Sequence, residues 1–317
     1  MNRREWLARA LSGAGAAALA ACAGPIEQAL SVGIHPFPGY EMLSLARQLG
    51  VFDEGAVRLI ETPSASASLR ALASAVMEGA GLTLDEVLTA RSQGLDLVVV
   101  CVVDRSLGAD AVLGGPALRT LADLAGCRIG VERSATGAVM LDAALAAAGL
   151  APGEVRLLSI ASDEHVAYFA AGKIDALVTY DPLRTRLLAS GAHELFSSRA
   201  IPDRIVDTLA LRREALAAKP RAVRALVDAH FAARDAWLAA PAARAAAIAP
   251  RLGLGAAQVP AAFAGLELPD RGFNRALFAA DAAKLEALAR ELGAVMLRAG
   301  LLGARPDLRG LFDGRFV

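Results

Sequence analysis

Apolar residues gather in short runs at 30–35, 57–61, 79–83 and 95–103. The stretches between them, 39–49, 65–77 and 85–93, carry apolar residues at helical spacing, as at Met42, Leu45, Ala46 and Leu49. The 95–103 run is dominated by Leu and Val, the pattern of a strand buried on both faces. After Gly114 and Gly115 the rhythm restarts. Strands are predicted at 127–132, 155–160, 176–180 and 194–196, and helices at 138–149, 163–171 and 182–190. Residues 206–212 read as a strand that crosses back. From Ala217 onward the chain is almost all helix, at 221–238, 242–249, 256–264 and 276–299. This alternation predicts an α/β fold of mixed sheets flanked by helices. The order implies two similar lobes. The first is discontinuous, 30–110 plus 208–317, and the second is 111–207. Crossings near 108–115 and 203–210 would form the hinge.

In open α/β sheets, ligands bind beyond the carboxyl ends of the strands, so candidate chemistry lies in the loops that follow them. The organising stretch is 127–140, CRIGVERSATGAVM: a strand, a polar turn and a helix start. A helix start leaves backbone N–H groups without intrahelical partners. Ser134 and Thr136 add hydroxyls, and Gly137 permits close approach to the backbone. After the first strand come His35, Phe37 and Tyr40, stiffened by Pro36 and Pro38. Thr83 and Asp85 follow the third strand, and Asp104, Ser106 and Asp110 follow the fourth. Tyr180 and Asp181 follow a strand of the second lobe. Asp85 and Asp181 also suit helix N-termini. Asp104 and Asp110 equally suit lobe closure, and the aromatics equally suit inward packing.

The run PALRTLADLAG–CRIGVE, followed by the Ser/Thr/Gly turn and VMLDAALAAAGL, resembles the periplasmic binding proteins of nitrate/sulfonate/taurine ABC importers. These share a fold with thiamine-pyrimidine-precursor synthases. The resemblance recurs in SVGIHPFPGYEMLSLARQLGVF, GLTLDE, DALVTYDPLRTRLLASGA and DLRGLFDGRF, and spans roughly 31–317. It implies a two-lobe, type II periplasmic binding protein fold that closes on a small molecule without chemistry or cofactor. It also implies ABC permease and ATPase partners and a monomer. An aromatic and an acid facing the cleft are implied at Tyr180 and Asp181. The segment 72–80 departs from the family pattern, with Ser74 where a glycine is usual and Glu78 where the acid is usually shorter.

Composition narrows the alternatives. Lys+Arg and Asp+Glu balance at 33 each, aromatics are 5%, and no basic stripe suggests a nucleic-acid partner. Much of the 55% hydrophobic content is alanine, and no run beyond residue 30 is long enough to span a membrane. Residues 1–22 read as a targeting segment. Leu19-Ala20-Ala21-Cys22 resembles a lipoprotein lipobox, so Cys22 is the expected lipidation site and membrane anchor. Arg3-Arg4-x-Trp6-Leu7 resembles a twin-arginine export signal. The expected location is the periplasmic side of the envelope. Cys101 and Cys127 read as free, buried thiols, and the four histidines are too scattered for a metal site. No G-x-S-x-G elbow or phosphate loop is present. A precursor-synthase-like enzyme and a tethered ligand sensor are the alternatives to a carrier. Four loop acids (Asp85, Asp104, Asp110, Asp181) face two loop bases (Arg105, Arg133), which favours a nitrogenous ring or amine over a sulfonate.

Overall fold

The computed structural model describes residues 28–132 and 135–317. Cys22 and the targeting segment, Arg133, and the expected site residue Ser134 lie outside the described residues. The first sheet is built early in the chain. Its strands are β1 (Leu30–Ile34), β2 (Val57–Glu61), β3 (Gly79–Thr83) and β4 (Leu97–Ser106). They are joined by α1 (Glu41–Gln48), α2 (Ala65–Ala73) and α3 (Leu84–Ser92). The second sheet holds β5 (Asp110–Gly114), β6 (Arg128–Val131), β7 (Arg156–Ser159), β8 (Ala176–Tyr180) and β9 (His193–Ser197). Its helices are α4 (Ala135–Ala148), α5 (His165–Ala170) and α6 (Leu183–Ala189). Then β10 (Val206–Arg212) returns to the first sheet. It is followed by α7 (Arg213–Ala218), α8 (Pro220–Ala239), α9 (Pro241–Leu252), α10 (Val259–Phe263), the short β11 (Leu266–Glu267), α11 (Arg271–Phe278) and α12 (Ala282–Arg298).

The six-stranded sheet has the order β11-β4-β10-β3-β1-β2, and the five-stranded one the order β7-β6-β8-β5-β9. Both are mixed. Strands β1, β2 and β3 are parallel, whereas β10 runs antiparallel to β3 and β4. In the second sheet β6, β7 and β8 are parallel and β5 is antiparallel to β8 and β9. A strand that crosses back thus starts at the edge where the parallel strands end.

The 95–103 run is buried on both faces, as its composition predicts. Val98, Val100 and Val103 pack with Val223, Leu226 and Val227 of α8. Val99 and Val102 pack with Val87 and Leu88 of α3 and with Leu292 and Met296 of α12. Each such side chain contributes about 1.5–3 kcal/mol of apolar burial. In the second sheet Val112, Ile129 and Val178 pack on Met140, Leu141 and Leu145 of α4. Ala111, Leu113 and Leu177 face the other way, toward Leu187 of α6.

Two expectations need correction. Residues 104–110 are not a loop: β4 runs to Ser106 and β5 begins at Asp110, so only 107–109 separate the sheets. The expected helix 276–299 is two helices, broken at 279–281. The turn at the departing segment 72–80 has Ala75 at φ 57°. That is the left-handed conformation for which a glycine is better suited.

Candidate functional site

The register of β10 assembles one rim. Asp207 lies opposite Thr83 at the end of β3 and opposite Asp104 on β4. A β-bulge beside Asp207 and Thr208 breaks the ladder there, and bulges commonly re-aim side chains at sites. The second rim comes from β5, whose first residue, Asp110, is paired with Tyr180 at the end of β8. Glu132 follows β6 directly.

A cavity lies where the rims meet. Its walls include His35, Phe37, Thr83, Glu86 and Asp207 from the first sheet's side, and Asp110, Glu132, Thr136, Gly137, His165, Thr179 and Tyr180 from the second's. Its volume is about 30 Å³, measured to the centres of water-sized spheres. The two sides touch around it. Thr136 Oγ1 donates to Asp85 Oδ2 at 2.9 Å and lies 2.9 Å from Thr83 Oγ1. Ser66 Oγ donates to Glu132 Oε1 at 2.9 Å.

Behind the cavity sits an aromatic and acidic layer. Tyr40 donates its hydroxyl to Asp207 Oδ1 at 2.5 Å and stacks edge-on to His35, with ring centroids 5.0 Å apart. Phe37 spans Tyr40 and Tyr180 at 5.2 and 6.0 Å. Two glycines make this layer possible. A Cβ on Gly39 would fall 1.8 Å from Asp104 Oδ2, and one on Gly81 would fall 2.6 Å from the Tyr40 ring.

The electrostatics follow from burial. Desolvation pushes Asp110 up to about 7 and raises Glu132. Desolvation raises Glu86 well above the usual carboxylate range, and the charge of Asp85 adds to it. Asp207 is pushed well up by burial and then by the charge of Asp104, which burial also raises. Each of two such adjacent buried carboxyls disfavours the charged form of the other. Burial lowers both His35 and His165 to about 4, so both imidazoles are neutral at pH 7.

Of the expected site residues, His35, Phe37, Thr83, Asp110, Thr136, Gly137 and Tyr180 reach the cavity wall. Five others sit behind it or elsewhere. Tyr40 and Asp104 form the layer beneath. Asp85 is turned into the Thr136 contact. Ser106 bonds Ser198 Oγ at 2.8 Å and accepts from the Asp110 amide, which ties the crossings together. Asp181 accepts from the Thr185 amide at 3.0 Å, the helix-terminus role that its position also suits. Arg105, counted among the loop bases, is spent on Asp203 and Glu267 at 2.5 Å each.

Sequence reasoning missed Glu86, Glu132, His165 and Asp207. Glu132 ends the organising strand and Glu86 adjoins Asp85, so both lay next to flagged positions. Asp207 becomes visible only through the antiparallel register. His165 reaches the wall from α5, whose position no local pattern reports.

The NMT1-like family model matches residues 23–252. No curated protein matches the sequence. Among solved structures, the alkanesulfonate-binding protein SsuA from Xanthomonas axonopodis pv. citri, bound to MOPS, is 21% identical. The match covers 92% of this chain and 100% of that one, with a TM-score of 0.75. The ligand-binding component of an ABC-type import system from Staphylococcus aureus, with zinc bound, is 14% identical over 91% and 97% of the chains, TM-score 0.76. The desulfurization enzyme DszB is 18% identical over 90% and 97%, TM-score 0.64. At these identities the likeness establishes a shared fold, one used by binding proteins and by an enzyme.

Proposed function

This chain belongs to the NMT1-like family, and on that premise we propose that it is the solute-binding protein of an ABC importer. It captures a small molecule between two lobes, 30–110 plus 208–317 and 111–207, and presents the closed form to a membrane permease and its ATPase. The observation that carries this reading is the cavity between the two sheets, to which both contribute side chains at their strand ends. A ligand that touches both walls binds the closed arrangement better than the open one, and that differential affinity drives closure. Two of the solved relatives, an alkanesulfonate-binding protein and a component of an ABC-type import system, support the reading.

The likeness to DszB makes an enzyme the second reading. Capture without chemistry is favoured by the use of the hydroxyls. Thr83 and Thr136 hold the two sides together, and Thr179 rests on His165 Nδ1 at 3.2 Å. Native mass spectrometry of the purified protein, with small-angle scattering before and after ligand addition, separates the two. A co-purified molecule that compacts the protein and is recovered unaltered is expected. Turnover of that molecule would overturn the proposal.

We further propose that the protein is a monomer on the periplasmic side of the envelope, exported by the twin-arginine route and anchored through lipid on Cys22. The lipobox-like and twin-arginine-like patterns of residues 3–22 support the route and the anchor. A palmitate analogue should label the parent protein, and equal labelling of Cys22→Ala would remove the anchor.

A further inference from the structure

Several buried polar atoms on the cavity wall have no hydrogen-bond partner among the described residues. They are Asp110 Oδ2, Glu132 Oε2 and Asp207 Oδ2, together with His35 Nδ1 and His165 Nε2. The three acids are only 3–4% exposed. Buried polar groups without partners are rare because the desolvation of each is left uncompensated, the more so when it is charged. Three carboxyl oxygens from two sheets therefore face a common space with acceptor capacity to fill. Among the described residues, no Lys or Arg lines that space. A sulfonate would bring three more acceptors and a negative charge into it, and in a water-poor cleft that repulsion is poorly screened.

We propose that the solute is a compact organic cation bearing N–H donors, of the primary ammonium or amidinium class, bridging Asp207 on one side to Asp110 and Glu132 on the other. The inference rests on the solute-binding reading of this cavity. Such a cation supplies the missing donors as charge-assisted hydrogen bonds. Its apolar face meets Phe37 and Tyr180, whose rings suit a cation. The neutral imidazoles supply further acceptor capacity without opposing charge. Burial and neighbouring acids favour the protonated forms of these carboxyls in the empty cavity, whereas a bound cation favours their charged forms. A cavity that leaves about 30 Å³ to the centres of water-sized spheres suits a molecule of few heavy atoms.

The experiment is calorimetric titration and thermal shift of the parent protein with ethylammonium, acetamidinium, neutral acetamide and ethanesulfonate, each also followed by small-angle scattering. Binding and compaction are expected with at least one cation, none with acetamide or ethanesulfonate. Affinity should fall at least tenfold in both Asp110→Asn and Glu132→Gln. Two variants are used so that misfolding of one, checked by circular dichroism, leaves the other informative. Silence from both cations overturns the proposal, as does cation binding unchanged in both folded variants. Compaction by ethanesulfonate alone would overturn the cation while leaving the solute-binding reading in place. A protein that no probe compacts, and that co-purifies with no small molecule, would remove both.

Discussion

At the residue scale the site depends on what side chains are denied as much as on what they supply. Gly39 has no Cβ because Asp104 Oδ2 occupies that space. In Gly39→Ala either the backbone or the buried Asp104 must move, and neither has slack beneath Phe37 and Tyr40. A loss of about 2 kcal/mol is expected for such overpacking, read from the urea midpoint. Asp110 gives a second prediction. Burial moves its carboxyl from 3.8 to about 7. Its contribution to stability is fully present below the unfolded value and is lost as pH rises through 7. An amide does not titrate, so Asp110→Asn should gain stability relative to the parent between pH 5 and pH 8. The lowered histidines act in the opposite sense, with stability lost as pH falls from 6.5 toward 4. They are present in both proteins and cancel in the difference. Denaturation midpoints at the two pH values test this, and a constant difference would contradict it.

At the scale of elements, helix α1 is pinned by a buried ion pair. Glu41 is fully buried and accepts from Arg251 of α9 at 2.8 Å, and Arg251 also contacts Glu61. Desolvation raises Glu41 to about 7 against the lowering pull of Arg251. Arg251→Met leaves an unpaired buried acid, at a cost of roughly 3–5 kcal/mol. Without the arginine the folded-state value rises further, so the deficit should be larger at pH 8 than at pH 5. The helix α6 gives a milder case. Asp181 satisfies the Thr185 amide at its start and lies outside the cavity wall. Asp181→Ala should lose about 1 kcal/mol and keep its ligand response, whereas loss of that response would return Asp181 to the site.

At the scale of the molecule, the two sheets communicate through two short crossings and the contacts around the cavity. Ser198 Oγ receives the Gly108 amide at 2.6 Å and meets Ser106 Oγ, so the crossings are fastened to each other. Gly108 has φ 122°, a conformation a larger residue rarely adopts. Across the cavity, Thr136 bonds both Thr83 and Asp85. Thr136→Val keeps the shape and removes both bonds. The expected outcome is a larger radius of gyration with an unchanged far-ultraviolet spectrum, as lobes held by a few hydrogen bonds of about 1 kcal/mol each shift toward open. An unchanged scattering profile would show that apolar contacts such as Val139 against the first lobe's core hold the closed form.

The local pattern of the chain determined the elements. Strands 57–61, 79–83 and 206–212 fall where apolar runs placed them, because side chains buried on a pleated sheet must be apolar whatever the neighbours. The same pattern located the rim positions His35, Thr83 and Tyr180, since they follow strands. It missed β5, which follows β4 after only three residues and lies between Gly108 and Gly115, so that it reads as part of a linker. Only the tertiary structure decided which acids face the cavity. Asp85, Glu86, Asp104, Asp181 and Asp207 all sit within a few residues of a strand end. Their roles as bridge, wall, under-layer, helix terminus and wall follow from helix phase and antiparallel register. A one-residue change in either turns a carboxylate from water into a shared, water-poor space, and sequence alone carries no record of that turn.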